Sequence, residues 1–148
     1  MKRILFFIVL LAFGFRASEN IKLEKPKGWP DPEIAYALNS QQIQLGRMLF
    51  YDPVLSADGM VSCASCHSPY NAFAHTDHAL SHGIGDQIGK RNAPALMNLA
   101  WRKDFMWDGS ISSLNAQIAF PINHPLEMGS SLDSIPQKLI TIGGYAPY

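Results

Sequence analysis

The apolar positions of this chain recur mostly at helical spacing, and no strand-like alternation extends over a useful length. The clearest helix is predicted over SQQIQLGRMLFYD, where Ser40 stands at the N-cap position and Pro53 ends the element. Its rough apolar face consists of Ile43, Leu45, Met48 and Leu49. The pattern therefore predicts helices that pack on one another rather than a sheet.

Four further segments carry the start or stop signals of short helices. They are DPEIAYALN, RNAPALMNLAW, SISSLNAQIAF and SLDSIPQKLITIGG. The first helix is predicted to start with Asp31 as N-cap and Pro32 as its first residue, and the second to start after Pro94. The third is predicted to run from a cap at Ser110 to Pro121, and the fourth to stop at Gly143 and Gly144. The predicted fold class is all-α.

Residues 53–94 show little periodicity of either kind. Gly59, Gly83, Gly85 and Gly89 lie there among Ser, Asp, Asn and His residues, which is typical of loops. A loop region of this length is unusual in a compact domain. A large buried cofactor would organise it, so the expectation is a helical domain with long loops built around such a group.

The N-terminus has the features of a secretory signal peptide. Lys2 and Arg3 precede an apolar run that is too short to span a bilayer, and Ala17 is a small residue at the expected cleavage point. The alternative is a short membrane anchor. The sequence thus predicts a signal peptide over residues 1–17, which would export the protein to the periplasm.

The charge balance changes with that cleavage. The chain has 12 basic and 12 acidic residues and a formal net charge of zero. Removal of residues 1–17 would take away Lys2, Arg3 and Arg16 but no acidic residue, and would leave a net negative chain. Because no basic patch is present either, nucleic acid is not an expected partner.

Both cysteines of the chain lie in SCASCHSP. Cys63 and Cys66 are separated by two residues, and His67 follows directly, which is the attachment pattern of c-type haem. Two thiols so spaced can form thioethers with the two vinyl groups of one porphyrin edge. The adjacent imidazole can then bind the iron as its proximal ligand.

Three other interpretations of this cysteine pair are weaker. A disulfide would close a very small loop and stabilise little. A zinc site would need two more ligands, and the four remaining histidines are scattered. A redox dithiol would be expected between a strand and a helix, which the flanking sequence does not resemble. The motif therefore predicts one covalently bound haem c.

The second axial position of the iron decides between electron transfer and chemistry. His75, His78 and His82 lie close together in HTDHALSH, on a glycine-rich loop that could fold over a haem. His124 and several methionines are further candidates. A ligand carried by a flexible loop could dissociate and open the iron to a substrate.

Two residues outside this loop are candidates for chemistry. Glu127 is a lone carboxylate in the apolar turn HPLEMG, where burial would raise its pKa and suit it to proton transfer. The alternative is an ordinary surface or capping glutamate. Trp107 in FMWDG is the second candidate, and its alternative is a plain core role.

Read together, these segments resemble the bacterial di-haem cytochrome c peroxidase family. The matching stretches, over roughly residues 40–130, are LGRMLFYDPVLSADGMVSCASCHSP, FAHTDHALSHGIGDQIGKRNAPALMNLAW, FMWDGSISSLNAQIAFPI and HPLEMG. The resemblance implies a cytochrome c-like haem domain over residues 40–148, preceded by an N-terminal extension over residues 18–39. This would be the N-terminal, peroxide-reducing domain of a two-haem protein, so we expect the chain to be a fragment.

The resemblance also implies roles for individual residues. Cys63 and Cys66 would be the thioether cysteines and His67 the proximal iron ligand. His82 would be the distal ligand that dissociates on reductive activation, with His75 and His78 as weaker alternatives. The remaining implied roles are a calcium ligand for Asn92, an electron relay for Trp107, a pocket residue for Gln117 and the catalytic acid-base for Glu127.

The activity implied by the resemblance is reduction of hydrogen peroxide to water. Electrons would come from a small donor, a cytochrome c or a copper protein, through a second haem in the missing half. A homodimer and an interdomain calcium ion are compatible with this reading. The alternatives are a maturase-like relative that oxidises a protein side chain, and a one-haem electron-transfer cytochrome.

Overall fold

The computed structural model describes residues 21, 24–32 and 39–148. Over these ranges it contains four α-helices, several single 3₁₀ turns and no β-strand, so the predicted all-α class is confirmed. The signal peptide predicted over residues 1–17, and most of the helix predicted after Asp31, lie outside the described residues. The α-helices are α1 (Ser40–Tyr51), α2 (Cys63–Cys66), α3 (Leu114–Asn123) and α4 (Ile135–Ile140).

Helix α1 occupies the predicted segment but is capped by a different residue. The side chain of Asn39, not Ser40, accepts a hydrogen bond from the backbone N–H of Gln42 at 2.8 Å. At the other end Asp52 leaves the helix, and its carboxylate accepts from Val54 N at 2.8 Å to start a 3₁₀ turn at Pro53. The cap lies one residue earlier than predicted because the longer Asn side chain at 39 already reaches the first free N–H groups.

The prediction of a helix after Pro94 is wrong. That segment forms only a 3₁₀ turn, Leu99–Trp101, because Asn98 takes a left-handed conformation with φ of 55°. A left-handed residue cannot continue a right-handed helix.

Helix α3 starts and ends later than predicted. Its N-cap position is Ser113 rather than Ser110, and the helix runs through Pro121 to Asn123. The last carbonyls are satisfied by the following turn, since Met128 N donates to Pro121 O at 3.1 Å and Ser130 N to Ile122 O at 2.8 Å. The helix therefore continues through Pro121, and the turn after it supplies donors to the carbonyls of its last residues.

Helix α4 forms where a helix was predicted but is shorter than expected. A 3₁₀ turn, Leu132–Ser134, precedes it, and it ends at Ile140 before Gly143 and Gly144 are reached. No helix in the described part of the chain is both long and apolar enough to cross a membrane.

A small apolar core joins α1, α3, α4 and the turn at Pro53. The partly buried side chains that pack around it come from α1, α4 and Val61. At its edge the Tyr145 hydroxyl donates to Asp52 at 2.6 Å, and Lys138 Nζ donates to the carbonyl of Ser56 at 2.7 Å. The buried members are Val54, Leu55, Ile122, Met128, Ile135 and Tyr145. Helix α1, which contributes side chains to this core, also packs against helix α2 of the cysteine motif.

Ser56 connects this core to the cysteine motif. Its side chain is fully buried, and Oγ donates to Pro53 O at 2.9 Å. The same oxygen accepts from the N–H groups of Met60 and Val61 at 3.1 and 3.2 Å. One hydroxyl therefore holds the loop that leads into the CASCH segment.

Replacing Ser56 with Ala should lower the free energy of unfolding by about 1–2 kcal/mol, because Val61 N–H loses its hydrogen bond to Ser56 Oγ, whereas Met60 N–H keeps Asp58 Oδ1 and Pro53 O keeps the backbone N–H of residue 56. Denaturant titration of the haem-loaded protein measures this change. Ser112→Ala, at an exposed position, is the matched control. Equal stabilities of the two variants would contradict the assigned role of Ser56.

Candidate haem site

The cysteine motif is folded as one short helical turn. Helix α2 places Cys63 and Cys66 three residues apart, so the two thiols lie on the same face of the turn. The turn is fixed by Ser65 Oγ, which accepts from Ser62 N at 3.1 Å. Both cysteines are unpaired and half-buried, so the disulfide alternative does not hold. Burial raises the pKa of both thiols.

His67 ends this turn and has a defined tautomer. Its Nδ1 lies 3.0 Å from the carbonyl oxygens of both Phe73 and Pro94. Since carbonyls only accept, Nδ1 carries the proton and Nε2 keeps its free electron pair. Burial lowers the pKa of His67, which favours the neutral imidazole that a metal requires. Hydrogen bonding of Nδ1–H to the backbone is the usual support of a metal-binding histidine.

The long loop brings these carbonyls to His67. The chain reverses at Ala72 and Phe73, both with left-handed φ near 55°, and Ser68 pairs with Ala74 across the reversal. Pro94 approaches from the far end of the loop. The two thiols and the oriented imidazole thus fit a covalently bound haem c, and the loop that lacked periodicity is the segment that orients His67, the predicted proximal ligand.

The three loop histidines form a stack. The His75 and His78 ring centroids are 5.5 Å apart, and those of His78 and His82 are 4.6 Å apart. His78 is exposed, whereas His75 and His82 are partly buried. The Cys66 thiol donates to the carbonyl of His82 at 3.4 Å. Of the three, His82 is therefore the histidine in direct contact with the cysteine motif.

His82 begins a tight hairpin over residues 82–88. His82 pairs with Ile88, and Gly83 N donates to Gln87 O at 2.8 Å. The tip is formed by Gly85 and Asp86, both with left-handed φ (58° and 59°), as in a type I′ turn. Asp86 Oδ1 lies 2.7 Å from His82 Nδ1.

Glu127 lies in the turn that follows α3, and the hairpin packs directly on that turn. Ile84 N donates to the carbonyl of Glu127 at 2.7 Å. A Cβ added to Gly83 would lie 2.6 Å from Glu127 Cα and still closer to the carbonyl oxygen of Leu126. The structure therefore brings the two predicted distal residues, His82 and Glu127, to neighbouring backbone segments although 45 positions separate them in sequence.

The electrostatic setting of Glu127 suits proton transfer. Burial raises the pKa of its carboxyl, and His124 opposes that shift with Nδ1 at 3.8 Å from Oε1. Leu126 N donates to His124 Nδ1 at 3.2 Å, so neutral His124 carries its proton on Nε2. The negative charge of Glu127 also contributes to the raised pKa of Cys66, which places the carboxylate near the cysteine motif.

Trp107 and Asn92 contact each other through one hydrogen bond. The indole Nε1 donates to the carbonyl of Asn92 at 2.6 Å, and the Trp107 side chain is 62% exposed, so the core alternative for this residue is wrong. An ion pair of 2.9 Å between Arg91 and Asp108 braces the same two segments. Hydrogen bonds from Ser110 and Arg91 lower the pKa of Asp108 to about 2.

The side chains of Gln117 and Asn92 both form hydrogen bonds within the described part of the chain. Gln117 Nε2 donates to Met106 Sδ at 3.3 Å. Asn92 Nδ2 donates to His75 O at 2.9 Å, and its Oδ1 accepts from Ala93 N at 2.8 Å. Within residues 39–148, no group of three or more His, Cys, Asp or Glu side chains is arranged to hold a metal ion.

Two residues at the site, Asp86 and Gly83, were not predicted as functional from the sequence, because no motif marks them. His124, a candidate iron ligand in the sequence analysis, lies beside Glu127. The GD pair between His82 and Ile88 is a turn signal that favours a hairpin, and it was the one available hint for Asp86. Nothing local indicated that Gly83 packs on the backbone of Glu127.

Comparison with known proteins gives a consistent result. The chain is 38% identical over 133 residues to the methylamine utilization protein MauG of Methylorubrum extorquens, covering 88% of this chain and 36% of that protein. It is 39% identical over 102 residues to the cytochrome c peroxidase Ccp of Escherichia coli K12, covering 68% of this chain and 22% of that protein. The chain thus spans less than two fifths of either relative.

A solved structure shares the fold. The crystal structure of a MauG-like protein associated with microbial copper homeostasis superposes with a TM-score of 0.76 at 30% identity, over 84% of this chain and 37% of that one. The profile of the family described as di-haem cytochrome c peroxidase matches residues 40–148. The chain therefore belongs to the di-haem cytochrome c peroxidase family of c-type haem oxidoreductases.

Proposed function

We propose that this chain supplies the peroxide-reducing haem domain of a periplasmic cytochrome c peroxidase. The observation that supports this best is the packing of the His82 hairpin on the turn of Glu127, with Ile84 N bonded to Glu127 O at 2.7 Å. A dissociable ligand and a carboxyl of raised pKa are the two parts that a distal peroxide pocket needs. His82 contacts the haem-attachment turn through the Cys66 thiol, and the charge of Glu127 contributes to the raised pKa of the same thiol, so we assign both residues to one site.

In this proposal Cys63 and Cys66 hold a cytochrome c-like haem through thioethers, and His67 binds its iron through Nε2. Haem c, when bound, supplies the redox chemistry that cleaves the O–O bond of the peroxide. The chain orients the group and controls access to it. The bonds of His67 Nδ1–H to Phe73 and Pro94 keep Nε2 aimed away from the loop backbone.

Glu127 moves the proton in this scheme. Its carboxylate takes the proton from one oxygen of hydrogen peroxide and returns it to the other, which leaves as water when the O–O bond breaks. Two electrons from the donor and two protons from solvent convert the remaining oxygen to a second water. Burial raises the pKa of this carboxyl, which suits the group to both accept and release a proton during the reaction. His124 lies close enough to Glu127 to moderate that pKa.

The other predicted residues take supporting roles in the proposal. Trp107, exposed at the surface and bonded to Asn92, relays electrons from a second haem expected beyond this chain. Gln117 lines the peroxide pocket from α3. Asn92 contributes to an interdomain calcium site. A small cytochrome c or copper protein is the electron donor, a signal peptide directs export, and a homodimer is compatible with these roles.

The assay that tests the proposed function follows oxidation of a reduced c-type cytochrome by hydrogen peroxide in the presence of the complete, haem-loaded two-haem protein, because this chain alone, with one haem-attachment motif, should be a poor peroxidase. The expected result is two donor molecules oxidised for each peroxide consumed, with water as product. Stoichiometric electron exchange with the donor that peroxide does not turn into catalytic oxidation would instead indicate an electron-transfer cytochrome.

A second candidate function follows from the 38% identity to MauG. In that case the same distal pocket would serve the oxidation of a protein side chain. Mass spectrometry of co-incubated protein substrates distinguishes the two, because a side-chain oxidation leaves a covalent mass change that peroxide reduction does not.

Replacing His82 with Gly should convert the oxidised haem from low spin to high spin without prior reduction, because the distal ligand is removed. Electronic absorption and electron paramagnetic resonance spectra measure this change. His78→Gly, in the same stack but exposed, is the control and should stay low spin. A low-spin His82→Gly protein would exclude His82 as the ligand and point to His75 or His78.

A further inference from the structure

We propose that Asp86 is a positioning residue that holds His82 in its iron-binding tautomer and orientation, and so sets how readily this ligand dissociates. The inference rests on the proposed function in one respect, the assignment of His82 as the distal ligand. It concerns a residue that neither the cysteine motif nor the proposed proton transfer uses.

The geometry of the hairpin is the first step. Asp86 is the second of two consecutive left-handed residues at the tip, and Gln87 N donates back to Ile84 O at 3.2 Å to close the turn. This conformation folds the tip back toward the first arm of the hairpin, residues 82–84. It brings Asp86 Oδ1 to 2.7 Å from His82 Nδ1, across four positions of chain.

The chemistry of the pair is the second step. An ionised carboxylate only accepts hydrogen bonds, so Nδ1 of His82 carries the proton and Nε2 keeps its electron pair for a metal. The adjacent negative charge makes the imidazole a stronger ligand, as in carboxylate–histidine–metal arrangements generally. Asp86 thus accepts the Nδ1 proton of His82, as the carbonyls of Phe73 and Pro94 accept that of His67. Unlike those carbonyls, it also carries a negative charge.

His82 differs in this respect from its neighbours in the stack. His75 Nε2 and His78 Nδ1 contact each other at 3.4 Å, and over residues 39–148 His82 is the one member of the stack with a carboxylate within hydrogen-bond distance of a ring nitrogen. The His78 ring lies against the His82 ring at 4.6 Å and limits its rotation. A carboxylate at the edge and a ring on the face together fix the imidazole plane.

The expected size of the effect follows from exposure. The Asp86 side chain is 86% exposed, so water screens its charge and the bond contributes less than a buried one would. We therefore expect a change of about threefold to tenfold in the equilibrium between bound and dissociated His82, below the 10–100-fold typical of buried partners of metal ligands.

The test is a graded series in the oxidised, haem-loaded protein. Asp86→Asn keeps an acceptor oxygen but removes the charge, and Asp86→Gly removes both while tolerating the left-handed φ. The high-spin fraction, read by absorption and electron paramagnetic resonance, should rise in Asp86→Asn and further in Asp86→Gly. Imidazole added to the solution should restore the low-spin spectrum of both variants.

Asp77→Asn and Asp77→Gly, on the same loop, are the matched controls for charge and flexibility, and both should keep the wild-type spectrum. Spin states of the Asp86 variants equal to those of the Asp77 variants would overturn the role of Asp86. A wild-type spectrum that His82→Gly leaves unchanged would instead remove His82 as ligand, and the inference with it. The first outcome leaves the proposed peroxidase activity intact, so the two failures are distinguishable.

Discussion

Replacing Glu127 with Gln is expected to lower peroxide turnover by about 10²–10⁴-fold, the usual contribution of a positioned acid-base group. Glutamine has nearly the same shape but cannot take up a proton from peroxide. Haem attachment should be unchanged, because Cys63, Cys66 and His67 lie on a separate helical turn. Steady-state turnover and the absorption spectrum of the same sample give both quantities.

The pH dependence of peroxide turnover gives a second, independent test of the role of Glu127. Burial raises the pKa of its carboxyl, and the proposed step begins with the ionised form. Turnover should therefore fall as the pH decreases through that raised pKa, above the usual range of a glutamate, and this acid limb should be absent from the residual activity of Glu127→Gln. Asp133→Asn, an exposed carboxyl nearby in the chain, is the control and should keep both rate and profile. A turnover unchanged in Glu127→Gln would remove the residue from the mechanism.

Features that depend on neighbouring residues could be predicted from the sequence. The CASCH motif carries its chemistry in consecutive residues, so a free imidazole and two thiols on one turn follow from spacing alone. Helix α1 was likewise predicted from its apolar spacing. The all-α class follows from the same short-range signals.

Features that depend on how separate segments fold against one another could not be predicted from the sequence. The end of α3 differs from prediction because the turn after it supplies donors, such as Met128 N, to the last helical carbonyls. The cap of α1 differs for a local reason, since Asn39 and not Ser40 accepts from Gln42 N. The broken helix after Pro94 depends on a left-handed Asn98 that its sequence does not signal. Asp86 was missed because its function arises from the fold of the hairpin.

Gly83 is the sharpest case of a long-range constraint, and Gly83→Ala is expected to be the most disruptive single-methyl change in the site. Its φ of −117° is open to any residue, so backbone strain is not the reason. The reason is crowding, since an added Cβ would lie 2.6 Å from Glu127 Cα and Glu127 O. These are backbone atoms, and no rotamer change can move them aside.

The methyl group must therefore push the hairpin off the Glu127 turn and break the bond from Ile84 N to Glu127 O. We expect a loss of about 3 kcal/mol in the free energy of unfolding, at the upper end for overpacking. A shift of about 1 Å between His82 and Glu127 should also cost about 10²-fold in turnover. Denaturant titration and peroxide assays of the haem-loaded variant measure the two effects.

Two glycine variants separate crowding from other causes. Gly46→Ala in α1 meets open space and should stabilise the helix by about 0.5–1 kcal/mol. Gly85→Ala also meets open space but has φ of 58°, so it should cost about 1–2 kcal/mol from strain alone and leave the Ile84–Glu127 bond intact. If Gly83→Ala matched Gly85→Ala in stability and turnover, the hairpin would not need its close approach to Glu127. A loss of turnover confined to Gly83→Ala would instead tie the reactivity of Glu127 to the position of the hairpin that carries His82.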